Sequence, residues 1–263
     1  MCRLGDSGGA LGARRGAGSG QYKGAPYNRP LIRKPSPHGT SRTMKKLIRL
    51  SFVLAFLACA FGAQAQDAKA GSAAAGEKKA AMCIGCHGIP GYQASFPEIY
   101  KVPMIAGQNA KYIAAALGEY KKGERKHPTM RAIAASLNDQ DVADLAAFYE
   151  NENKSAAPVD AAAATPSGNV AELLKKGNCV SCHGDNFSKP IDPSYPKLAG
   201  QHGDYLFYAL KAYQTDKNPQ VGRGNPVMKG MVAQFTHAEL KEIASYLATL
   251  PTQLATVPQS RFR

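Results

Sequence analysis

The sequence has 263 residues and a formal net charge of +14, from 33 Lys and Arg against 19 Asp and Glu. Spread over a whole chain, such a charge favours a nucleic-acid or anionic-membrane ligand. Residues 1–65, however, hold 11 of the basic and 1 of the acidic residues, which leaves 33 − 11 = 22 basic and 19 − 1 = 18 acidic groups. A net charge of +4 over the remaining chain excludes nucleic-acid binding. The length of this remaining chain suits two small domains.

Residues 44–65 have the pattern of a secretory signal peptide. A basic start at residues 44–49 precedes an apolar run at 50–61, and Ala63-Gln64-Ala65 supplies a small-x-small cleavage site. The run is too short for a membrane-spanning helix. We therefore expect export to the periplasm, with no transmembrane span in the mature chain.

Residues 1–43 are rich in Gly, Arg and Pro and precede the signal. We interpret them as an over-long gene start, with Met44 as the true initiator; a disordered basic arm is the alternative. Cys59, inside the signal, leaves lipid acylation open.

The mature chain contains the same pentapeptide pattern twice, as Cys83-Ile84-Gly85-Cys86-His87 and Cys179-Val180-Ser181-Cys182-His183. C-x-x-C-H is the attachment signature of haem c. The two thiols, Cys83 and Cys86 or Cys179 and Cys182, can add to the two vinyl groups of a porphyrin. The following His87 or His183 can then bind the iron as proximal ligand. We predict two covalently bound haem c groups.

Other chemistry is compatible with the cysteines alone. Each C-x-x-C could be a redox dithiol or a disulfide, and the four together could form a Cys₄ zinc site. These alternatives leave both histidines unexplained, and they do not explain why the surrounding residues repeat as well.

The chain repeats at a spacing near 96 residues, which indicates a duplicated small domain. Helical stripes at the i, i+3, i+4, i+7 spacing recur in both halves, and Asn138-x-x-Asp141 and Thr236-x-x-Glu239 predict capping boxes. We find no alternating strand pattern of useful length, so the fold class is all-α. The predicted organisation is a first domain at 66–150, a Pro- and Ala-rich linker at 151–168, a second domain at 169–254 and a tail at 255–263.

The sixth iron ligand is assigned from the register of the repeat. Residues 130–137 align with 228–235, so that Met130 matches Met228 and no histidine outside the motifs recurs. We expect both methionines in loops between two helices, each after a proline, and predict them as the axial ligands. Ordinary core packing is the alternative for a Met. The remaining candidates are His127, His202, His237 and Met231.

With these residues the chain resembles the two-haem class I cytochromes c of the c4 type. The likeness rests on both C-x-x-C-H sites, the Pro-x-x-Ala-Gly-Gln segments at 103–108 and 196–201, the methionines and the two helix starts, and covers residues 70–252. It implies two tandem class I cytochrome c domains, each wrapped around one covalent haem and packed through their haem edges. It also implies that the carbonyls of Pro103 and Pro196 face the haem-ligand histidines.

The resemblance implies a periplasmic electron carrier between a quinol-oxidising complex and a terminal oxidase or reductase, and not an enzyme. A haem c subunit of a dehydrogenase or oxidase, or a diheme peroxidase, are the alternatives. The expected partners are redox proteins of the respiratory chain, with loose association at a membrane surface left open. We expect unequal haem potentials, because the loops at 121–131 and 216–229 differ in charge, and we expect those charges to be exposed.

Overall fold

The computed structural model describes residues 70–153, 165–166 and 168–258. The predicted gene start, the signal peptide, most of the linker and the last five residues of the tail lie outside this range. None of the helices in the described ranges is both long enough and apolar enough to cross a bilayer.

The first half contains five helices and three two-residue strands within the described residues. In chain order these elements are α1 (Ala73–Lys79), α2 (Ala81–His87), β1 (Gln93–Ala94), β2 (Tyr100–Lys101), α3 (Ala110–Lys122), β3 (Arg125–Lys126), α4 (Pro128–Ala135) and α5 (Asp139–Asn151). β1 and β2 form an antiparallel pair, with Ala94 opposite Tyr100.

The second half repeats the order of the helices, without a counterpart of the β1–β2 pair among its described residues. Its elements are α6 (Gly168–Lys176), α7 (Val180–His183), α8 (Gly203–Gln214), β4 (Gly222–Arg223), α9 (Pro226–Val232) and α10 (His237–Ala248). The predicted all-α class is confirmed, because every strand in the described residues has only two residues.

Both predicted capping boxes are present. Asn138 accepts the N–H of Asp141 at 2.8 Å at the start of α5, and the Asp141 carboxylate accepts the N–H of Asn138. Thr236 and Glu239 form the same reciprocal pair at the start of α10. Each box satisfies two backbone donors that a helix start leaves free. These hydrogen bonds define where the last helix of each half begins.

Each half has its own apolar core, built on its last helix. In the first half Leu145, Ala146 and Tyr149 of α5 are buried against Ile84 and Ile113. In the second half the buried residues of the last helix are Leu240, Ile243, Ala244 and Leu247. Both sets lie on stripes with the predicted i, i+3, i+4, i+7 spacing, and Val142, at the start of the α5 stripe, is half-buried.

The methionine segments differ from the prediction, since Met130 and Met228 lie in the first turns of α4 and α9 rather than in loops. Proline occupies the first turn of each helix, where its missing N–H costs nothing. The side chains of His127 and Asn225 accept the N–H groups of Met130 and Met228 as caps. The same local chemistry therefore positions both methionines.

The end of the chain crosses from the second half to the first. Ala255 N–H donates to the carbonyl of Ala106 at 3.1 Å, in an isolated antiparallel bridge. The amide of Asn153 donates to the carbonyl of Gln253 at 2.5 Å. The described part of the predicted tail is thus bound to the other half.

Candidate functional site

The four motif cysteines lie on two equivalent short helices. Cys83 and Cys86 are one turn apart on α2, while Cys179 caps α7 and Cys182 lies within it. All four are free thiols. Burial raises the pKa of the Cys83 and Cys179 thiols. The disulfide alternative is therefore not realised, and each pair presents two neighbouring thiols to the same side.

Both motif histidines are oriented by a proline carbonyl. The Nδ1 of His87 lies 2.8 Å from the carbonyl oxygen of Pro103, and the Nδ1 of His183 lies 3.1 Å from that of Pro196. Because a carbonyl can only accept, this contact places the proton on Nδ1 and leaves Nε2 with a free lone pair. Burial lowers the pKa of both imidazoles. Each histidine is thus held neutral, which is the form that binds a metal.

The methionines and the histidines line one continuous cavity of about 560 Å³. Met130 contributes from α4 and Met228 from α9, and all four motif cysteines reach the same cavity. Apolar side chains form much of the remaining wall, among them Ile105, Ile113, Leu117, Leu206, Leu210 and Val232. The structure therefore brings together every residue that the sequence predicts as a haem contact.

The other candidate ligands have different roles in the structure. His127 reaches the cavity, but its Nδ1 accepts the N–H of Met130. His202 precedes α8, and the ring of His237 packs edge-on against Phe207; neither lines the cavity. Met231 lines it but is 43 % exposed, whereas Met228 is half-buried.

A pair of buried arginines at the cavity wall was not predicted. Arg125 on β3 lies opposite Arg223 on β4, in an antiparallel pair that joins the two halves. Only 4 % of Arg125 and 7 % of Arg223 is exposed, so the prediction that the loop charges are exposed is wrong for these two. Each arginine precedes its methionine by five residues. That shared spacing is the sequence signal that could have identified them.

The chemistry of the side chains that line the cavity suits two haem groups. Its wall offers neutral imidazole and thioether groups, which suit a haem iron, and two pairs of thiols, which suit the vinyl groups of two haems. Within residues 70–153, 165–166 and 168–258, no three His, Cys, Asp or Glu side chains are placed to hold a metal ion together. The four cysteines therefore do not form a zinc site.

Comparison with known proteins also indicates a haem protein. The family model described as "Cytochrome c" matches the chain twice, at residues 73–151 and 168–251. Cytochrome c4 of Azotobacter vinelandii is 30% identical over 198 residues, which is 69% of this chain and 90% of that protein. Cytochrome c4 of Thiocapsa roseopersicina is 31% identical, over 72% of this chain and 98% of that protein.

Two further similarities bear on structure and partners. The "Thiosulfate dehydrogenase electron acceptor" of Stutzerimonas stutzeri (strain A1501) is 31% identical, over 75% of this chain and 92% of that protein. The crystal structure of reduced recombinant cytochrome c4 from Pseudomonas stutzeri matches with a TM-score of 0.50 and 27% identity, over 69% of this chain and 100% of that chain. The chain therefore belongs to the cytochrome c family and to its diheme c4 type, an electron-transfer protein with two covalent haem c groups and not an enzyme.

Proposed function

We propose that the protein carries electrons in the periplasm from a quinol-oxidising respiratory complex to a terminal oxidase or reductase. The observation that carries the proposal is that both His–Met sets line one continuous cavity. Two redox groups in one cavity can exchange electrons within the molecule, so that one half can face a donor while the other faces an acceptor.

The ligand assignment is part of this proposal. The first haem is attached to Cys83 and Cys86 and ligated by His87 and Met130. The second is attached to Cys179 and Cys182 and ligated by His183 and Met228. A haem held by a His and a Met would supply one-electron transfer, and its iron would have no open position for a substrate.

The chain supplies orientation, charge and exclusion of water. The Pro103 and Pro196 carbonyls fix the imidazole rings, and the caps at His127 and Asn225 fix the methionine helices. The apolar wall keeps water from the iron, and removing water from a haem pocket is one means by which a protein sets its potential.

The proposed domains follow from the repeat: a first cytochrome c domain at 66–150, a linker at 151–168 and a second domain at 169–254. The signal peptide at 44–65 supports export, which places attachment of both haems and the encounter with partners in the periplasm. Residues 1–43 are absent from the mature protein in this proposal.

A second candidate donor is supported by the comparison with Stutzerimonas stutzeri (strain A1501). The relative named as a thiosulfate dehydrogenase electron acceptor matches across both halves, since the match covers 92% of its length. A periplasmic dehydrogenase that oxidises an inorganic sulfur compound is therefore an alternative electron donor, either as a transient partner or as a permanent complex.

A redox titration followed by optical spectroscopy tests the proposal. The mature protein should contain two haems, each with a sulfur–iron charge-transfer band in its oxidised form. Stopped-flow mixing with a purified quinol-oxidising complex or with thiosulfate dehydrogenase then separates the two donors by their rates of haem reduction. Co-purification of a dehydrogenase through several columns would indicate a subunit, and failure of both donors to reduce the haems would contradict the proposed pathway.

A further inference from the structure

The two buried arginines form a cluster with tyrosines of both halves. Arg125 Nη2 donates to the Tyr112 hydroxyl at 3.2 Å, and Arg223 Nη2 donates to the Tyr205 hydroxyl at 3.0 Å. The guanidinium carbons lie 5.6 Å from the centroids of these same two rings. All four side chains line the cavity. Two permanent positive charges therefore lie side by side at the cavity wall.

The carboxylate in this cluster belongs to the first half alone. Glu119 Oε2 lies 3.2 Å from the Nε of Arg125, and Glu119 also lines the cavity. Glu119 follows Tyr112 by seven residues, and the residue seven positions after Tyr205 is Ala212, which is buried. The arginine of the first half is thus paired with one negative charge, whereas the second half has no charged side chain at the matching position.

The pKa values of Tyr112 and Tyr205 shift in opposite directions. Burial raises the pKa of Tyr112, and the neighbouring arginines only partly oppose the shift. Burial would also raise the pKa of Tyr205, but the charges of Arg223 and Arg125, together with hydrogen bonds to Arg223 and Tyr112, outweigh it and the pKa is lowered. The charges of both arginines thus act on tyrosines of both halves at the cavity wall.

We propose that Glu119 lowers the reduction potential of the haem in the first half by cancelling the charge of Arg125 at the cavity wall. The inference rests on the proposed function, because it needs a haem in each half. Reduction removes one positive charge from the iron, so an unopposed cation nearby favours the reduced form. Arg223 supplies such a cation to the second half, while Glu119 offsets Arg125 in the first.

The exposed lysines of the first half favour a higher potential for its haem, which opposes the effect of Glu119, but their influence is smaller. Lys121 and Lys122, which add positive charge to the first half, are exposed at the end of α3. Exposed charges are screened by water and salt, whereas a pair at a buried wall is screened much less. The Glu119–Arg125 pair therefore dominates, and the first haem has the lower of the two potentials.

The test is spectroelectrochemical titration of the intact diheme protein carrying Glu119→Gln. This change removes the charge, keeps the shape and touches a side chain that is 29 % exposed, so folding is preserved. At an effective dielectric constant of about 20, loss of one such charge shifts a one-electron equilibrium by about tenfold, or about 59 mV. The lower reduction potential should rise by that amount and the upper one by less, so that the difference between the two potentials decreases.

Two matched variants separate charge from other effects. Glu124→Gln removes the same charge from an exposed side chain beside Arg125 and should leave both potentials unchanged. Glu119→Asp keeps the charge and should keep the lower potential close to the wild-type value. The proposal is overturned if Glu119→Gln moves neither potential, if it moves the upper one more, or if Glu124→Gln has the same effect.

The wild-type protein distinguishes this failure from failure of the proposed function. If the wild-type chain has two haems with sulfur–iron bands and Glu119→Gln leaves both potentials unchanged, only the role of Glu119 is wrong. If mass spectrometry finds fewer than two covalent haems on the wild-type chain, both proposals fall together.

Discussion

Gln108 and Gln201 occupy equivalent positions in the two halves, and each binds the backbone of the opposite half. The Gln108 amide accepts the N–H of Lys197 at 2.9 Å and donates to the Lys197 carbonyl at 3.0 Å. Gln201 makes the same two contacts with Met104, at 3.0 and 2.9 Å. Four hydrogen bonds thus join the halves with a local two-fold relationship, directly after the prolines that orient the haem-ligand histidines.

Replacing Gln201 by Ala should therefore weaken the interface between the halves. The change leaves the half-buried N–H and carbonyl of Met104 without these partners. An unsatisfied polar group costs up to about 1–3 kcal/mol when it is fully buried. Thermal unfolding of the holoprotein should show a lower midpoint, and Gln108→Ala should match it. Gln220→Ala, on an exposed loop, is the control and should unfold like the wild type. Equal midpoints for all variants would show that the interface does not depend on these amides.

The second prediction concerns the iron ligand of the second half. Met228 stands seven residues before Phe235, as Met130 stands seven before Leu137, and it is better buried than Met231. Met228→Ala should remove the sulfur–iron charge-transfer band of one haem and lower its potential. Met231→Leu, which nearly conserves volume, should leave both unchanged.

The opposite pattern would contradict the register of the repeat. If Met231→Leu lost the band while Met228→Ala kept it, the alignment of 130–137 with 228–235 would be wrong. Optical spectra of the oxidised variants are sufficient for this comparison.

The third prediction is the composition of the mature protein. The predicted signal peptide implies a chain that begins near Gln66, and the two C-x-x-C-H sites imply two covalent haems. Intact mass spectrometry of periplasmic protein measures both at once. A mass equal to the bare polypeptide, or one that retains residues 1–43, would refute it.

The fourth prediction is a loss of stability in acid that depends on Asp144. Its carboxylate accepts hydrogen bonds from Lys79 at 2.7 Å, from the Ser72 N–H at 2.8 Å and from Gln140 at 2.9 Å, and these lower its pKa to about 2. An unfolded Asp has a pKa of about 3.9. The contribution is therefore complete above about pH 4 and is lost as the pH falls towards about 2.

Thermal midpoints between pH 5 and pH 2 measure this effect. Asp144→Asn should lower the midpoint at pH 5 and reduce the fall of the midpoint in acid. Glu172→Gln, at an exposed position, serves as the control and should reproduce the wild-type slope. A slope that is unchanged in Asp144→Asn would show that other carboxylates govern acid unfolding.

The sequence was most informative where the two halves repeat a pattern. The C-x-x-C-H sites, the methionine register and the capping boxes each appear twice at matching offsets, and the structure places all of them as equivalent pairs. Arg125 and Arg223 also share an offset, but a single arginine between two helices is ordinarily solvated. Their burial depends on the β3–β4 pair and on tyrosines from α3 and α8, which no local pattern specifies.

Contacts between distant segments could not be predicted for the same reason. Asp144 is bound by residues up to 72 positions away, and Ala255 pairs with a residue of the other half. The periodicity of a segment predicts which face of a helix a residue occupies. It does not predict which distant backbone group forms a hydrogen bond with that residue.

The bridge between Ala255 and Ala106 makes the two halves unequal as independent molecules. Expressed alone, the first half would leave the Ala106 carbonyl and the Asn153 amide without their partners from the chain end. The second half would keep its own core, but the N–H of Ala255 would lose its partner. A duplicated chain of this kind can therefore be divided by sequence at its linker, yet residues 253–255 of its second half complete the half that was synthesised first.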